Sequence, residues 1–142
     1  MKVNSVTLSV FVHETEDEGK IDSSLRSFFS PYLGDLTPTT SKVEGHFGDS
    51  LVIYKYYWKG KGAKEVFHYL ITSLPDLDRA ALRKSLNAHI QGSKLHFRLD
   101  KQIMVLHRRV RLSQGDDVIK VVVSFSAFNS KELEEVLSGG SS

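Results

Sequence analysis

Hydrophobic and polar residues alternate along four stretches of the chain, and this alternation predicts β-strands. The clearest stretch runs from Val6 to Val12, where every second residue is valine or leucine and the intervening residues are threonine, serine and phenylalanine. A period of two places the apolar side chains on one face of a strand and the intervening ones on the other. The same reasoning predicts strands at Leu51–Lys59, Lys94–Leu99 and Val118–Phe128.

A fifth strand is predicted from Ile103 to Leu112, antiparallel to the strand at Lys94–Leu99. The residues between them, Asp100–Gln102, are predicted to form a tight turn, because aspartate is a preferred turn residue. Arg108 interrupts the apolar row of the second strand, so we expect a bulge or a register change near it. The segment from Lys94 to Leu112 is therefore predicted to be a basic hairpin.

Apolar residues recur every three or four positions in most of the remaining stretches, which is the spacing of one face of an α-helix. Between Ile21 and Phe29 the apolar stripe ends just before Pro31, because proline cannot continue a helix. Residues from Leu33 to Ser50 show neither period and are predicted to form a loop. The predicted helices are Ile21–Phe29, Ala63–Leu74, Asp76–Ile90 and Lys131–Leu137.

The predicted elements follow one another in the order β-α-β-α-α-β-β-β-α. Each strand has one apolar face, and each helix has one apolar stripe. We therefore expect an α+β fold, in which helices cover one face of a largely antiparallel five-stranded sheet and the other face is open to water. One domain is expected over residues 1–137, followed by a flexible tail at residues 138–142.

The composition excludes several classes of protein. The 142 residues include no cysteine, which excludes disulfides, thiolate metal sites and cysteine nucleophiles. No apolar run approaches the ~20 residues of a membrane span, and the N-terminal residues lack the apolar core of a signal peptide. We therefore expect a cytoplasmic protein without a membrane partner. Because the formal net charge is only +2, the partner has to be inferred from how the charge is distributed.

Positive charge is concentrated in the predicted hairpin, where Asp100 is the only acidic residue. Basic, hydroxyl and aromatic groups on an exposed sheet suit single-stranded or looped RNA, because cations contact phosphates and bases stack on rings. The predicted RNA-binding residues are Lys55, Tyr57, Lys94, His96, Arg98, Lys101, Gln102, His107, Arg109 and Arg111. A second group of candidates consists of His46, Lys59 and Lys61.

Three short segments resemble an archaeal family of small RNA-binding proteins, described as predicted exosome subunits and related in fold to a ribosomal protein that binds 5S RNA. They are FVHETED at Phe11–Asp17, EGHFGDS at Glu44–Ser50 and HFRLDKQ at His96–Gln102. The resemblance spans most of the chain, from about Val3 to Phe128. It implies an open-faced α/β fold, RNA binding and association with RNA-processing subunits. It implies no catalytic residue.

Two interpretations of the histidines compete with this hypothesis. His13 with Glu14, Glu16 and Asp17 could bind a metal ion, but adjacent side chains rarely converge on one ion, so an acidic turn before a helix is favoured. His96 and His107 could face each other on neighbouring strands and act as acid and base in a small metal-independent nuclease.

A protein–protein adaptor is the other alternative, because a basic face also suits an acidic protein partner. The sequence contains no phosphate-binding loop, no zinc-protease motif and no nucleophile elbow. We therefore predict a non-catalytic RNA-binding protein that needs no cofactor or metal ion. We expect it to act as an accessory of an RNA-processing or ribosome-related complex.

Overall fold

The computed structural model describes residues 1–13, 15–32, 39–44 and 52–139. A short 3₁₀ turn at Ser30–Tyr32 follows the first helix. In chain order the elements are β1 (Lys2–Val12), α1 (Glu18–Phe28), β2 (Thr39–Glu44), β3 (Val52–Lys59), α2 (Gly60–Ser73), α3 (Asp76–Lys84), α4 (Leu86–His89), β4 (Ile90–Gln91), β5 (Lys94–Asp100), α5 (Lys101–His107), β6 (Val118–Ser126) and α6 (Ser130–Leu137).

The strands form one antiparallel sheet in the order β2-β3-β1-β6-β5-β4. β1 lies in its middle, and the alternation that predicted this strand also fixes its faces. Val6, Leu8 and Val10 are fully buried on the inward face, where α2 packs against β1. The predicted α+β class, the antiparallel sheet and the single helical layer are confirmed, and four of the five predicted strands are present.

The aromatic strand β3 joins the sheet to α1. Tyr56 and Trp58 are buried on the inward face, and the Tyr56 hydroxyl donates a hydrogen bond to the Asp22 carboxylate of α1. Burial raises the pKa of Tyr56, and the hydrogen bond to Asp22 raises it further. Tyr57, on the opposite parity, is 41% exposed. Tyr54 shares the inward parity and packs half-buried against the core, so β3 places one aromatic residue on the open face and three on the inward face.

The predicted hairpin is wrong in its second half. Residues after Asp100 form the helix α5 instead of a turn and a strand. The Asp100 carboxylate accepts a hydrogen bond from the Ile103 backbone N–H at 2.9 Å, which caps the helix at its N-terminus. At the other end Arg108, with φ 51° and ψ 46°, adopts the left-handed conformation that terminates many helices. The expected bulge at Arg108 is thus a helix C-cap.

The chain returns to the sheet after α5. Leu112 forms an antiparallel bridge with Leu99, and the Ser113 N–H donates to the Arg98 carbonyl at 3.0 Å. Asp78 of α3 holds this segment from the side, because its carboxylate accepts from the Leu112 N–H at 3.0 Å. Two short partners therefore cover the outer edge of β5: β4 at one end and this returning segment at the other.

Two smaller predictions also require correction. The stretch predicted as a loop contains the strand β2, which pairs with β3 along its whole length although its sequence, TTSKVE, has no apolar alternation. The helix predicted to reach Ile90 is interrupted at Ser85, and Ile90 already belongs to β4. None of the helices in the described residues is long and apolar enough to cross a membrane.

Candidate nucleic-acid interface

The open face of the sheet can be read directly from the strand register. Ser9 of β1 lies between Lys55 of β3 and Lys120 of β6, and Lys120 pairs in turn with Arg98 of β5. This row crosses four strands and carries three cations. A second row, two residues earlier on β1, joins Tyr57, Thr7, Val122 and His96. A third row joins Lys59, Ser5, Ser124 and Lys94.

Five exposed cations lie in these three rows. They are Lys55, Lys59, Lys94, Arg98 and Lys120, and none of them forms an ion pair with a described residue. Asp100 is the one acid on the same parity of β1, β3, β5 and β6, and its carboxylate is engaged in capping α5. A surface lined by one sign of charge attracts polyanions. We call these five residues the basic face.

Lys120 belongs to the basic face although it was not among the predicted site residues. Its parity in β6 indicated an open-face position, but an isolated lysine in an apolar strand carries no distinct binding signal. The register shows its importance, because it lies beside Arg98 and its ammonium is 5.2 Å from the centre of the Phe11 ring. A cation at this distance from an aromatic ring is weakly attracted to it, which limits the positions that the lysine samples.

Three predicted contacts of the second hairpin strand do not lie on the sheet. His107 ends α5, and Arg109 follows it in an exposed segment. The Arg111 guanidinium donates to the Asp78 carboxylate of α3 at 2.9 Å and is thereby paired. Gln102, in the first turn of α5, donates to the Asp117 carboxylate at 2.9 Å. The structure therefore separates these residues from the basic face.

Lys101 was predicted to contact phosphate from an exposed turn, and this prediction is wrong. Its side chain is only 1% exposed. The ammonium contacts the Phe11 carbonyl at 2.9 Å, Glu16 Oε1 at 2.8 Å and Asp117 Oδ1 at 2.6 Å. A buried ammonium is tolerated only when its donors are satisfied, and here three oxygens satisfy all three. Lys101 is therefore a structural cation.

The same cluster includes two of the residues from the metal-site interpretation, His13 and Glu16. His13, Glu16 and Asp117 have ligand atoms within 4.8 Å of one another, an arrangement that could hold an ion. The Lys101 ammonium already contacts both carboxylates, so their negative charge is compensated by the protein itself. Asp17, another predicted member, caps α1 by accepting from the Lys20 N–H at 3.1 Å, and Glu14 lies outside the described residues. The acidic segment is thus a turn that leads into a helix.

The pKa of Asp117 responds to this arrangement. Partial burial alone would raise the pKa of this carboxyl, since it disfavours the charged form. The hydrogen bonds from Lys101 and Gln102 outweigh that effect, and the net result is a pKa below the ordinary value. The ionised form of Asp117 is therefore the one that the fold stabilises.

The second group of candidates is divided between two places. Lys59 belongs to the basic face, whereas Lys61 is exposed in the first turn of α2, close to it in sequence. Gly60 connects them with a φ of 61°, a backbone conformation that glycine adopts without strain. His46 lies outside the described residues.

Known proteins resemble the chain along most of its length. A family model described as RNA binding matches residues 5–125. The chain is 33% identical over 137 residues to the uncharacterized protein MJ0213 of Methanocaldococcus jannaschii, which covers 94% of this chain and 91% of that protein. It is 25% identical over 136 residues to the RNA-binding protein PAB1135 of Pyrococcus abyssi, with 93% and 88% covered. The crystal structure of protein SSO0741 from Sulfolobus solfataricus matches with a TM-score of 0.82 and 34% identity, over 96% of this chain and 98% of that one.

Proposed function

This chain belongs to the RNA-binding family whose model matches residues 5–125, and from this premise we propose that it binds single-stranded or looped RNA through its basic face, without catalysing a reaction on it. The observation that carries the proposal is the set of five uncompensated cations on one side of the sheet. Strand spacing is about 4.8 Å, so a row across four strands offers cations to successive phosphates of an extended chain.

Aromatic and imidazole groups lie between the charged rows. Tyr57 is exposed at one end of the central row, and His96 lies at the other end. Side chains of this kind stack on unpaired bases, whereas bases in a duplex are already stacked on one another. The arrangement therefore favours unpaired RNA over a regular duplex.

The nuclease hypothesis required two histidines on neighbouring strands. His107 is instead in α5, while His96 is in β5, so the sheet register no longer brings them together. A basic face without an acid–base pair binds RNA by charge and stacking alone. This difference supports a non-catalytic role.

The test is RNA affinity measured over a series of salt concentrations with an unstructured oligoribonucleotide. Lys55→Ala, Arg98→Ala and Lys120→Ala should each weaken binding about five-fold at 0.1 M salt and reduce the salt slope by ~0.7, which is the contribution of one phosphate contact on a single strand. Tyr57→Ala should weaken binding while leaving the slope nearly unchanged, because stacking releases no counterions.

Lys64→Ala is the matched control, because Lys64 is an exposed lysine of α2, the helix that packs against the other side of β1. This variant should bind RNA as the wild-type protein does. Polyglutamate provides the comparison for an acidic protein partner. If the three basic-face variants are folded and bind RNA as tightly as the wild-type protein, RNA does not bind to this face.

The resemblance to an archaeal RNA-binding family is confirmed by the matches. A role as an accessory of an RNA-processing or ribosome-related complex, in the cytoplasm, stays a prediction. Affinity purification of the protein from its source cells, with and without ribonuclease treatment, would test it. Exosome subunits that remain bound after RNA has been digested are the expected result.

A further inference from the structure

A cavity of about 380 Å³ opens where the basic face meets the outer edge of β5. Its floor is formed by the open-face residues of two neighbouring strands. These residues are His96 and Arg98 of β5 and Lys120 and Val122 of β6. The cavity therefore includes two of the five cations of the basic face, Arg98 and Lys120. It also includes His96, one of the two stacking candidates on the open face.

The walls of the cavity come from the end of α4, just before β4, and from the segment that returns to the edge of β5. Ala88 and His89 stand on one side, at the end of α4, and Ser113 and Gln114 stand on the other. The Ser113 N–H donates to the Arg98 carbonyl at 3.0 Å, and its hydroxyl accepts from the Gly115 N–H at 3.1 Å. This wall is therefore held in a defined position against the strand.

One polar atom at this cavity lacks a partner. The Nε2 atom of His96 is buried and has no hydrogen bond to any described residue. Buried polar atoms of proteins are nearly always hydrogen-bonded, because leaving one without a partner is destabilising. A hydrogen-bonding ligand in the cavity would supply the missing partner once the imidazole turns toward it.

The second imidazole has a defined tautomer. His89 Nδ1 lies 2.9 Å from the Ser85 carbonyl oxygen, and a carbonyl oxygen can only accept. Nδ1 therefore carries the hydrogen, and Nε2 of the neutral ring is an acceptor. The cavity is thus lined by an acceptor on His89, the imidazole of His96, the amide of Gln114 and the hydroxyl of Ser113.

We propose that this cavity binds the base of one unpaired RNA nucleotide, whose phosphate is held by Arg98 and Lys120. The inference rests on the proposed function and adds a base-binding pocket to it. The volume lies within the ~300–1,000 Å³ of small-molecule sites. Cations beside polar groups that both donate and accept match a phosphate joined to a heterocycle, whereas a phosphate alone would use only the cations.

The test uses the four nucleoside 5′-monophosphates, with ribose 5-phosphate as the probe that lacks a base. At least one nucleotide should bind the wild-type protein about ten-fold or more tightly than ribose 5-phosphate, since the base adds stacking and hydrogen bonds. His96→Ala should remove most of that preference and leave the affinity for ribose 5-phosphate unchanged. Isothermal titration calorimetry gives the affinities, and NMR shifts of the pocket residues locate the site.

A cavity-filling substitution provides an independent variant. Ala88→Trp, on an exposed position of the wall, should abolish nucleotide preference, whereas Ala81→Trp, exposed on α3 and away from the cavity, should not change it. Ribose 5-phosphate binding as tightly as all four nucleotides, or an unchanged preference in Ala88→Trp, would overturn the pocket.

RNA affinity over the salt series is measured on the same proteins, so the two proposals can fail separately. If RNA binds with its salt dependence while no nucleotide is preferred, the pocket is wrong and the proposed function stands. If wild-type protein does not bind RNA at all, both proposals fail.

Discussion

At the scale of single residues, Lys101 is a cation that stabilises the fold through internal contacts, although the sequence predicted that it contacts RNA. Its ammonium joins three distant segments, because its oxygen partners come from Phe11, Glu16 and Asp117. Each of these partners is at least 16 residues away in sequence. The sequence Asp-Lys-Gln at 100–102 is typical of an exposed turn. Only the tertiary structure shows that Lys101 is buried.

Replacing Lys101 with methionine is expected to destabilise the protein by about 2–4 kcal/mol. The substitution keeps the volume but leaves the Glu16 and Asp117 carboxylates without their cation, and removing one partner of a buried ion pair typically costs about 3–5 kcal/mol. The lower figure reflects the partial exposure of both acids. Urea denaturation measures the change, with Lys64→Met as the control. A loss of less than 0.5 kcal/mol would contradict the structural role.

The lowered pKa of Asp117 predicts how stability depends on pH. A carboxyl with a lower pKa in the folded state contributes stability above its ordinary pKa of 3.8, and loses this contribution as the pH falls through the folded-state value. Asp117→Asn should therefore melt at a lower temperature than wild-type protein at pH 6, and the difference should shrink by pH 3. Melting curves across this range provide the measurement. A difference that stays constant down to pH 3 would show that the ionised carboxylate contributes nothing.

At the scale of elements, α5 is the clearest departure from the sequence-based prediction, and its cause is local. Four apolar residues stand in a row at 103–106, so neither a period of two nor a helical period is evident. Aspartate is common both in turns and at helix N-caps, and Asp100 was assigned to a turn. The helix formers that follow it, Lys101, Gln102 and Met104, were the available signal.

Arg108 allows the helix to be tested directly. Because its φ is 51°, an L-residue is strained there by roughly 1 kcal/mol, and glycine is not. Arg108→Gly should therefore leave stability unchanged or raise it by up to ~1 kcal/mol, whereas glycine in a strand would lower it. Arg109→Gly, next to it and equally exposed, has no positive φ and should not be stabilising. Chemical denaturation of both variants decides between helix and strand.

The predictable part of the interface is confined to elements with a clean alternation. β1, β3, β5 and β6 were predicted from such patterns, and all five cations of the basic face lie on them. The helix α5 and the strand β2 were missed for opposite reasons: α5 has too many consecutive apolar residues, and β2 has almost none. Which strands are neighbours does not follow from the alternation of single strands, so the rows of cations became visible only in the register.

At the scale of the whole molecule, the two faces of the sheet have separate tasks. Val10 is fully buried beneath the helices, while its neighbour Ser9 lies between Lys55 and Lys120 on the open face. The helical layer therefore supplies stability, and the open face is free to carry unpaired charge. Adjacent positions of one strand should respond to the same substitution in different ways.

Val10→Asp should unfold the protein, since it buries an unpaired charge. Ser9→Asp should change stability by less than ~1 kcal/mol, because a partly exposed carboxylate meets two lysines. Ser9→Asp should nevertheless weaken RNA binding several-fold at low salt, because it neutralises the most basic row. Circular dichroism melts and RNA titrations of the two variants check both statements. Equal melting temperatures, or undiminished RNA affinity of Ser9→Asp, would contradict this separation of tasks.

The divided outer edge of β5 has a further consequence, which concerns self-association. A long strand at the edge of a sheet presents unpaired backbone groups on which another chain can add a strand, and this is a common route to aggregation. Here β4 occupies the Lys94–Leu95 end of β5, and the returning segment occupies the Arg98–Asp100 end. Only the backbone of His96 and Phe97 lies between them, which is too short for a foreign strand to pair with. A protein with a wide open sheet face is thereby protected from polymerising on this side.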